Sequence, residues 1–405
     1  MRILYIAYSC SPIHGSEDAI GWNVPVESAC KNTVYVITKE EQRPFIERYL
    51  QNNQLSNIQF FYVDIPKIYK KIFRGHFYSG RIGIWNKRTY KLAKKLCAKE
   101  KIDIIHQVTP VEFRSIGAYG SIPNTTFVCG PVAGGQRVPK ALRSYVGCKW
   151  YVEAIRGCVN GLYRFLPNIR RHVHNTDYLI FANHETKNYL APICSPDIPV
   201  DVMTDIATVP VEMQAFNDVS RDTDELVFAV VGRLVYLKGH ALLLDALSRV
   251  PRNLSYRCRI VGEGEEMKKL KVQCHKLGLD DKVSFEGAVA HTQITKVYST
   301  SDVLIMPSFR EATGSVLLEA MSTGIPVITI NRFGGTTILD NETGWLYDGN
   351  TKEAFIESLK EAIVECIQNP TEVKRRGQNA QNRARDFCWE KKMMHYQEIY
   401  DCLQR

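Results

Sequence analysis

The chain alternates short runs of β-branched and aromatic residues with longer stretches whose apolar positions fall three and four residues apart, the periods of strand and helix respectively. Residues 2–9 predict a strand that runs directly into the turn sequence SPIHGSEDAIGW, after which helical spacing begins. Further short apolar runs at 33–38, 58–63, 102–106, 126–129 and 178–182 alternate with charged helical stretches. That alternation is the mark of a parallel sheet with helices on both faces. The stretch 192–224 interrupts it with Pro196, Pro199 and Pro210 and contains no lysine or arginine before Arg221. The pattern then restarts at 226–231 and continues through 256–261, 283–286, 303–306 and 326–330, each run followed by helical spacing. The expected fold is α/β, with two doubly wound Rossmann-like domains at 1–205 and 206–385 and a closing helix within 386–405. The apolar and aromatic positions of 380–403, including Trp389, Tyr396 and Tyr400, predict that this last helix packs against a surface, here taken to be the first domain.

Composition narrows the class. With 45% hydrophobic and 23% charged residues over 405 positions, the chain belongs with globular proteins and not with disordered or fibrous ones. No apolar run is long enough to span a membrane, and the opening MRILYIAYSCS is too short and too polar at its end for a signal peptide, so a cytoplasmic location is expected. The twelve cysteines form no C-x-x-C pair and read as reduced thiols, mostly in the core.

Charge changes the picture more than composition does. Residues 1–216 hold 27 Lys and Arg against 17 Asp and Glu, while the remainder is almost balanced, so the net +9 belongs to the first half. Two segments concentrate it. Residues 67–101 carry twelve basic side chains, among them Lys70, Lys71, Arg74 and Arg81, against the single acid Glu100. Residues 137–171 carry eight against Glu153 alone. Both interleave cations with aromatic and aliphatic residues, a composition that suits an anionic membrane surface or a nucleic-acid groove, or simply solvated helix faces over ordinary core aromatics.

Candidate chemistry falls at the ends of strands, where doubly wound sheets bind ligands. In VVGRLVYLKGH (230–240) a strand ends at Gly232, and Arg233 and Lys238 follow close to a helix start. Two cations beside free backbone N–H groups suit a diphosphate, although both side chains could equally solvate a loop. In PSFREATGSVLLEAMSTGIPVI (307–328) the loop carries Glu311, Gly314 lets a ligand approach, and the amides of Gly314, Ser315 and Val316 open a helix. Glu319 lies among apolar positions of that helix. A carboxylate there is costly unless bound, and the vicinal hydroxyls of a ribose would bind it; the alternative is an exposed acid on an amphipathic helix.

These motifs, with EGEEMKKLK, SDVLIMPS, ETGWLY and FCWEKKMMHY following in order, resemble the family 4 glycosyltransferases of the GT-B fold, and the resemblance extends over nearly the whole chain. Glu311 and Glu319, separated by seven residues, match the family's most specific element. GSEDAIGW, IHQVTPVEFR and GPVAGGQ resemble a bacterial branch associated with surface-polysaccharide assembly. The resemblance implies two domains facing a central cleft and transfer of a sugar, with retained anomeric configuration, from a nucleoside diphosphate sugar to an acceptor hydroxyl on a lipid-linked or growing glycan. It implies that Arg233 and Lys238 hold the diphosphate, supported by the amides of Gly314 to Val316, that Glu319 binds the ribose and that Glu311 contacts the sugar. It implies also that Gly15 leaves room for the phosphates and that His106 lies near the reaction centre; the other reading of His106 is a strand-end histidine satisfied by backbone.

No cofactor is expected beyond the donor substrate. The only Asp-x-Asp, Asp222-Thr-Asp224, precedes a strand in the polar linker, so metal independence is expected as well. The basic first half leads to the expectation of a lipid-linked acceptor and peripheral attachment at the inner membrane face, through Lys70, Lys71, Arg74 and Arg81, with no nucleic-acid partner. Two departures from the family pattern bear on the acceptor side: Asp18, Ala19 and Ile20 follow the GSE turn, and Ala133 interrupts the glycine run of GPVAGGQ. The rival readings are a nucleotide-sugar epimerase or a phosphorylase on the same fold, and a polyanion-binding protein without catalytic activity.

Overall fold

The apolar runs become two parallel sheets. In the computed structural model, which describes residues 1–13, 15, 17–72, 78–208 and 225–405, the first sheet contains β1 (Arg2–Ala7), β2 (Thr33–Lys39), β3 (Ile58–Val63), β4 (Ile104–Thr109), β5 (Thr126–Val132), β6 (Tyr178–Phe181) and β7 (Val200–Val202). Their order is β3-β2-β1-β4-β5-β6-β7, and every neighbouring pair is parallel. The second sheet contains β8 (Leu226–Val231), β9 (Tyr256–Val261), β10 (Val283–Gly287), β11 (Val303–Met306), β12 (Val327–Ile330) and β13 (Gly344–Tyr347), in the order β10-β9-β8-β11-β12-β13, again all parallel. Strand order reverses between β1 and β4 in one sheet and between β8 and β11 in the other. Helices cover both faces, so central strands such as β1, β4, β8 and β11 are buried almost throughout.

Neither compact unit is continuous in sequence. The first comprises 1–136, 156–206 and 389–405; the second comprises 137–155 and 207–388. Residues 137–155, which the sequence analysis places in the first domain, group with the second. Val138, Leu142 and Val146, spaced four apart, enter its hydrophobic core, and the Tyr145 hydroxyl donates to Asp245 Oδ2 at 2.5 Å. The closing helix Trp389–Leu403 belongs to the first unit, where Tyr396, Ile399 and Tyr400 are buried. Asp222, Asp224 and most of the linker around them lie outside the described residues.

Two strands escape the sequence pattern. β7 has three residues, all at least partly exposed, on the sheet edge beside the proline-rich break. β13 is the four-residue GWLY. A third difference affects the site. β4 runs on past the apolar run to Thr109, because its polar residues find partners inside the protein. The Gln107 amide donates to Ser115 O at 2.8 Å, Gly117 N–H donates to Gln107 Oε1 at 2.9 Å, and the Thr109 hydroxyl donates to Ser9 O at 2.9 Å.

Candidate active site

In the second unit the two candidate loops leave β8 and β11, the adjacent strands at which the order reverses. This is the crevice where open α/β sheets bind ligands. The β8 loop passes Gly232 and Arg233 and makes one 3-10 turn over Tyr236–Lys238. It enters the helix His240–Leu247 through Gly239, a left-handed residue at φ 72°. Glycine is required there on two counts, since a Cβ would lie 1.9 Å from Pro307 O. The two loops are joined directly where Phe309 N–H donates to Leu237 O at 2.8 Å. Lys238 Nζ lies 2.5 Å from Glu311 Oε2, with both side chains roughly three-quarters buried. Arg233 is exposed and has no ion-pair partner among the described residues. Lys238, expected at the phosphate, and Glu311, expected at the sugar, hold each other in the structure.

Gly314, at φ 89°, precedes the helix Ser315–Ser322, with Ser315 exposed and Val316 half-buried at its first turn. Leu317, Leu318, Ala320 and Met321 are buried, and Glu319 among them is half-buried. Its Oε2 accepts the Tyr298 hydroxyl at 3.1 Å, and burial together with the Glu319 charge pushes the Tyr298 phenol far above its ordinary range. Tyr298 is a partner that no motif announces. So is His240. The ring is buried, its Nδ1 has no hydrogen-bond partner among the described residues, and burial, reinforced by the Lys238 charge, lowers its pKa to about 4.

A further carboxylate ties the two loops together from outside both motifs. Glu153, on the helix Trp150–Phe165, accepts the Tyr236 hydroxyl on Oε1 at 3.0 Å and pairs through Oε2 with Arg310 Nη1. Tyr236 begins the turn that ends at Lys238, and Arg310 precedes Glu311. Only 7% of the Glu153 side chain is exposed. Its sequence signal was its isolation as the single acid of a basic segment.

The first unit offers a different picture. His106 is the third of six residues in β4 and is fully buried. Its Nε2–H donates to Gly130 O at 2.8 Å, and its Nδ1 accepts from the Tyr400 hydroxyl at 2.6 Å. Burial lowers its pKa to about 3, so the ring is neutral. Both ring nitrogens are engaged within the first unit, as in a strand histidine satisfied from within. Gly15, in the β1 loop, is exposed with open space around the position a Cβ would take. Two residues on, Glu17 Oε1 accepts Val111 N–H at 2.6 Å and so bridges the loops that follow β1 and β4. Burial pushes its carboxyl upward, against the pull of that N–H.

Two cations of the expected patch have acidic partners. Lys70 pairs with Glu41 at 2.9 Å and Asp64 at 2.6 Å, and Arg81 pairs with Glu41 at 2.9 Å. Lys71 lies on the same short helix as Lys70, and Arg74 lies outside the described residues. Among the described residues, no helix is long and apolar enough to cross a membrane.

Comparison with known proteins agrees with this fold. Over 99% of its length the chain superposes on the whole of the Anabaena protein HepE, solved in complex with UDP, with a TM-score of 0.66 and 17% identity. The lipopolysaccharide outer core galactosyltransferase WaaB gives 0.67 with 15% identity, over 98% of each chain. At such identities the likeness establishes the fold, that of the GT-B glycosyltransferases with two Rossmann-like domains. Residues 212–383, within the second unit, match the family model for glycosyl transferases group 1. Among curated relatives, the D-inositol 3-phosphate glycosyltransferase of Corynebacterium glutamicum is 28% identical over 43% of each chain. The GDP-mannose-dependent alpha-(1-6)-phosphatidylinositol monomannoside mannosyltransferase of Mycobacterium tuberculosis is 28% identical over 49% of this chain and 55% of its own. The alignments thus span about half the length of these relatives.

Proposed function

We propose that the protein is a retaining glycosyltransferase that moves a sugar from a nucleoside diphosphate sugar to a hydroxyl of a lipid-linked or growing glycan, at the cytoplasmic face of the inner membrane. The observation that carries the reading is the set of Arg233, Lys238, Glu311 and Glu319 at the point of strand-order reversal in the second unit. The names of its relatives support the substrate classes. One is described as dependent on GDP-mannose and acts on a phosphatidylinositol mannoside, and HepE was solved with UDP.

The chemistry follows from charge. As the bond between the anomeric carbon and the β-phosphate oxygen breaks, negative charge gathers on the diphosphate, and Arg233 and Lys238 stabilise it. Diphosphate binding competes with Glu311 for Lys238, which frees the Glu311 carboxylate to accept sugar hydroxyls. Glu319, fixed by Tyr298, takes the ribose hydroxyls. The acceptor oxygen bonds to the anomeric carbon on the face the phosphate leaves, and its proton passes to that phosphate oxygen, so the anomeric configuration is retained and no separate base is needed. The two cations supply the role a divalent ion would otherwise take, and the reaction proceeds with EDTA present.

The test is thermal unfolding of the wild type and Glu319→Ala with UDP, GDP, ADP and their common sugar derivatives. A ligand at about 100 times its dissociation constant adds about 2.7 kcal/mol to the folded state. Stabilisation by one nucleotide, lost in the variant, supports the donor site and identifies the base. If no nucleotide stabilises the wild type, or the variant responds equally, the assignment is overturned. Loss of transfer on chelation, restored by Mg²⁺ or Mn²⁺, would refute the metal-independent route.

A further inference from the structure

The helix Tyr78–Glu100 of the first unit is basic along its outer face, and Glu100 at its end is its single acid. Arg81 pairs with Glu41 and Lys99 with Glu100. Lys87, Arg88, Lys91, Lys94 and Lys95 are all exposed and have no ion-pair partner among the described residues. On a helix these five positions fall within about a third of the circumference and extend along about 12 Å. Lys91 stands three or four residues from each of Lys87, Arg88, Lys94 and Lys95, the spacing at which like charges destabilise a helix. Helices of the second unit show the ordinary remedy, since Lys360 pairs with Glu357, and Arg375 and Arg376 both pair with Glu372, three or four residues away. The first-unit helix has no acid at such positions, so relief of the repulsion has to come from outside it.

Contacts at both ends orient this stripe. Near the start of the helix, Ser79 donates to Glu112 Oε2 at 3.3 Å and Arg81 pairs with Glu41, in the segments that follow β4 and β2. Trp85 Nε1–H donates to Val63 O at 3.1 Å, at the end of β3. At the far end Arg2 Nη1 donates to Glu100 O at 2.7 Å, at the start of β1. The helix therefore runs antiparallel to the strands, and the stripe leads away from the crevice edge of the first sheet. An open pocket beside Arg88 and Lys91 is completed by Tyr62, Val63 and Asp64, of which Asp64 already pairs with Lys70.

The rest of the face decides among anionic partners. Among the described residues from 79 to 100, no large hydrophobic side chain is exposed, so the face has nothing to place in the acyl boundary of a bilayer. Trp85 is buried and Tyr90 packs against Tyr119, which leaves no open ring for a nucleic-acid base to stack on. A second copy of the chain would set cation against cation. A hydrated polyanion needs neither apolar nor aromatic contact, and an acidic glycan is one.

We infer that Lys87, Arg88, Lys91, Lys94 and Lys95 form a track for a carboxylate-bearing glycan, the growing chain whose end enters the crevice of the first unit. The inference rests on the proposed glycosyl transfer and deepens it by naming the acceptor as an acidic polysaccharide. Several weak charge contacts in a row keep such a chain bound and still let it advance as sugars are added.

The experiment is fluorescence anisotropy of the full-length protein with an end-labelled oligogalacturonate long enough to span the stripe, and with a maltooligosaccharide of equal length. The wild type is expected to bind the acidic oligomer and not the neutral one, with affinity falling about tenfold or more as salt is raised from low to physiological strength. Lys87→Glu, Lys91→Glu and Lys95→Glu together are expected to weaken binding by about tenfold or more, and the corresponding triple change to Gln by a smaller factor. Both variants remove like-charge neighbours from exposed positions, so the melting temperature is expected to hold or rise, which separates loss of binding from loss of folding. Equal binding of the two oligomers, no binding of either, or binding that survives charge reversal overturns the inference. So does tighter binding, lost in the same variant, to phosphatidylglycerol vesicles or to polyuridylate, since the stripe then serves another polyanion. Nucleotide stabilisation and its loss in Glu319→Ala are measured without glycan, so the donor site stands or falls independently of the track.

Discussion

The two points of strand-order reversal, β1/β4 and β8/β11, share a topology and differ in what their side chains are free to do. At β8/β11 the loops present one exposed arginine, a lysine paired with a glutamate, and a helix that starts at a glycine. At β1/β4 the histidine is enclosed with both nitrogens engaged, and the half-buried Glu17 ties the loops together. Strand order thus gives both units a crevice in the corresponding place, and burial decides which one carries available charge.

The largest expected effect that tests this contrast comes from Glu153→Ala. Removing one partner of a buried ion pair costs about 3–5 kcal/mol and would release both β8 and β11 loops, seen as a lower melting temperature and a raised KM for the donor. If stability and KM are unchanged, the loops are held by other contacts. Next in size is Arg233→Ala, which under the proposed reaction is expected to lower kcat by about 10²-fold or more without loss of stability, because an exposed cation that stabilises leaving-group charge acts in the transition state and not in folding. Equal activity would move the electrostatic role elsewhere. The counterpart in the first unit is His106→Phe. The histidine's folded pKa of about 3 lies below its ordinary value of 6.5, so the unfolded chain takes up the proton first. Its contribution is therefore complete above pH 6.5 and declines as pH falls towards 3, at up to about 1.4 kcal/mol per pH unit. The variant should flatten that acid limb in chemical unfolding, and an unchanged limb would mean that the ring is already protonated in the folded protein. The smallest effect belongs to Arg81→Ala, whose exposed ion pair with Glu41 should contribute about 1 kcal/mol or less. A large loss of vesicle binding in that variant would support the patch expected from the sequence.

The legibility of the sequence follows the same divide. Eleven strands are marked by apolar runs, and the loops after β8 and β11 by motifs whose cations and glycines have a local physical reason. What the pattern could not mark depends on contacts distant in sequence. Gln107 and Thr109 look too polar for a central strand until Ser115, Gly117 and Ser9 satisfy them, and that extension is what carries His106 inside. The 137–155 segment reads as part of the first domain because its neighbours do, while Val138, Leu142 and Val146 pack into the second unit's core. The helix Trp150–Phe165 was visible as basic and aromatic composition, but the inward turn of Arg156 and Arg164 was set by Gly134, Gln136 and Tyr189.

The position of Tyr400 has a consequence for the order in which the molecule is made. Its hydroxyl donates to His106 and accepts from Tyr5 at 3.1 Å, so the strand that holds Tyr5 waits nearly four hundred codons for this core partner. During synthesis the second unit's strands are all out of the ribosome before the first unit can close. The nascent first unit therefore carries an uncovered aromatic socket for most of translation, and agents that occupy it then, chaperones included, act on a state that the finished protein no longer presents.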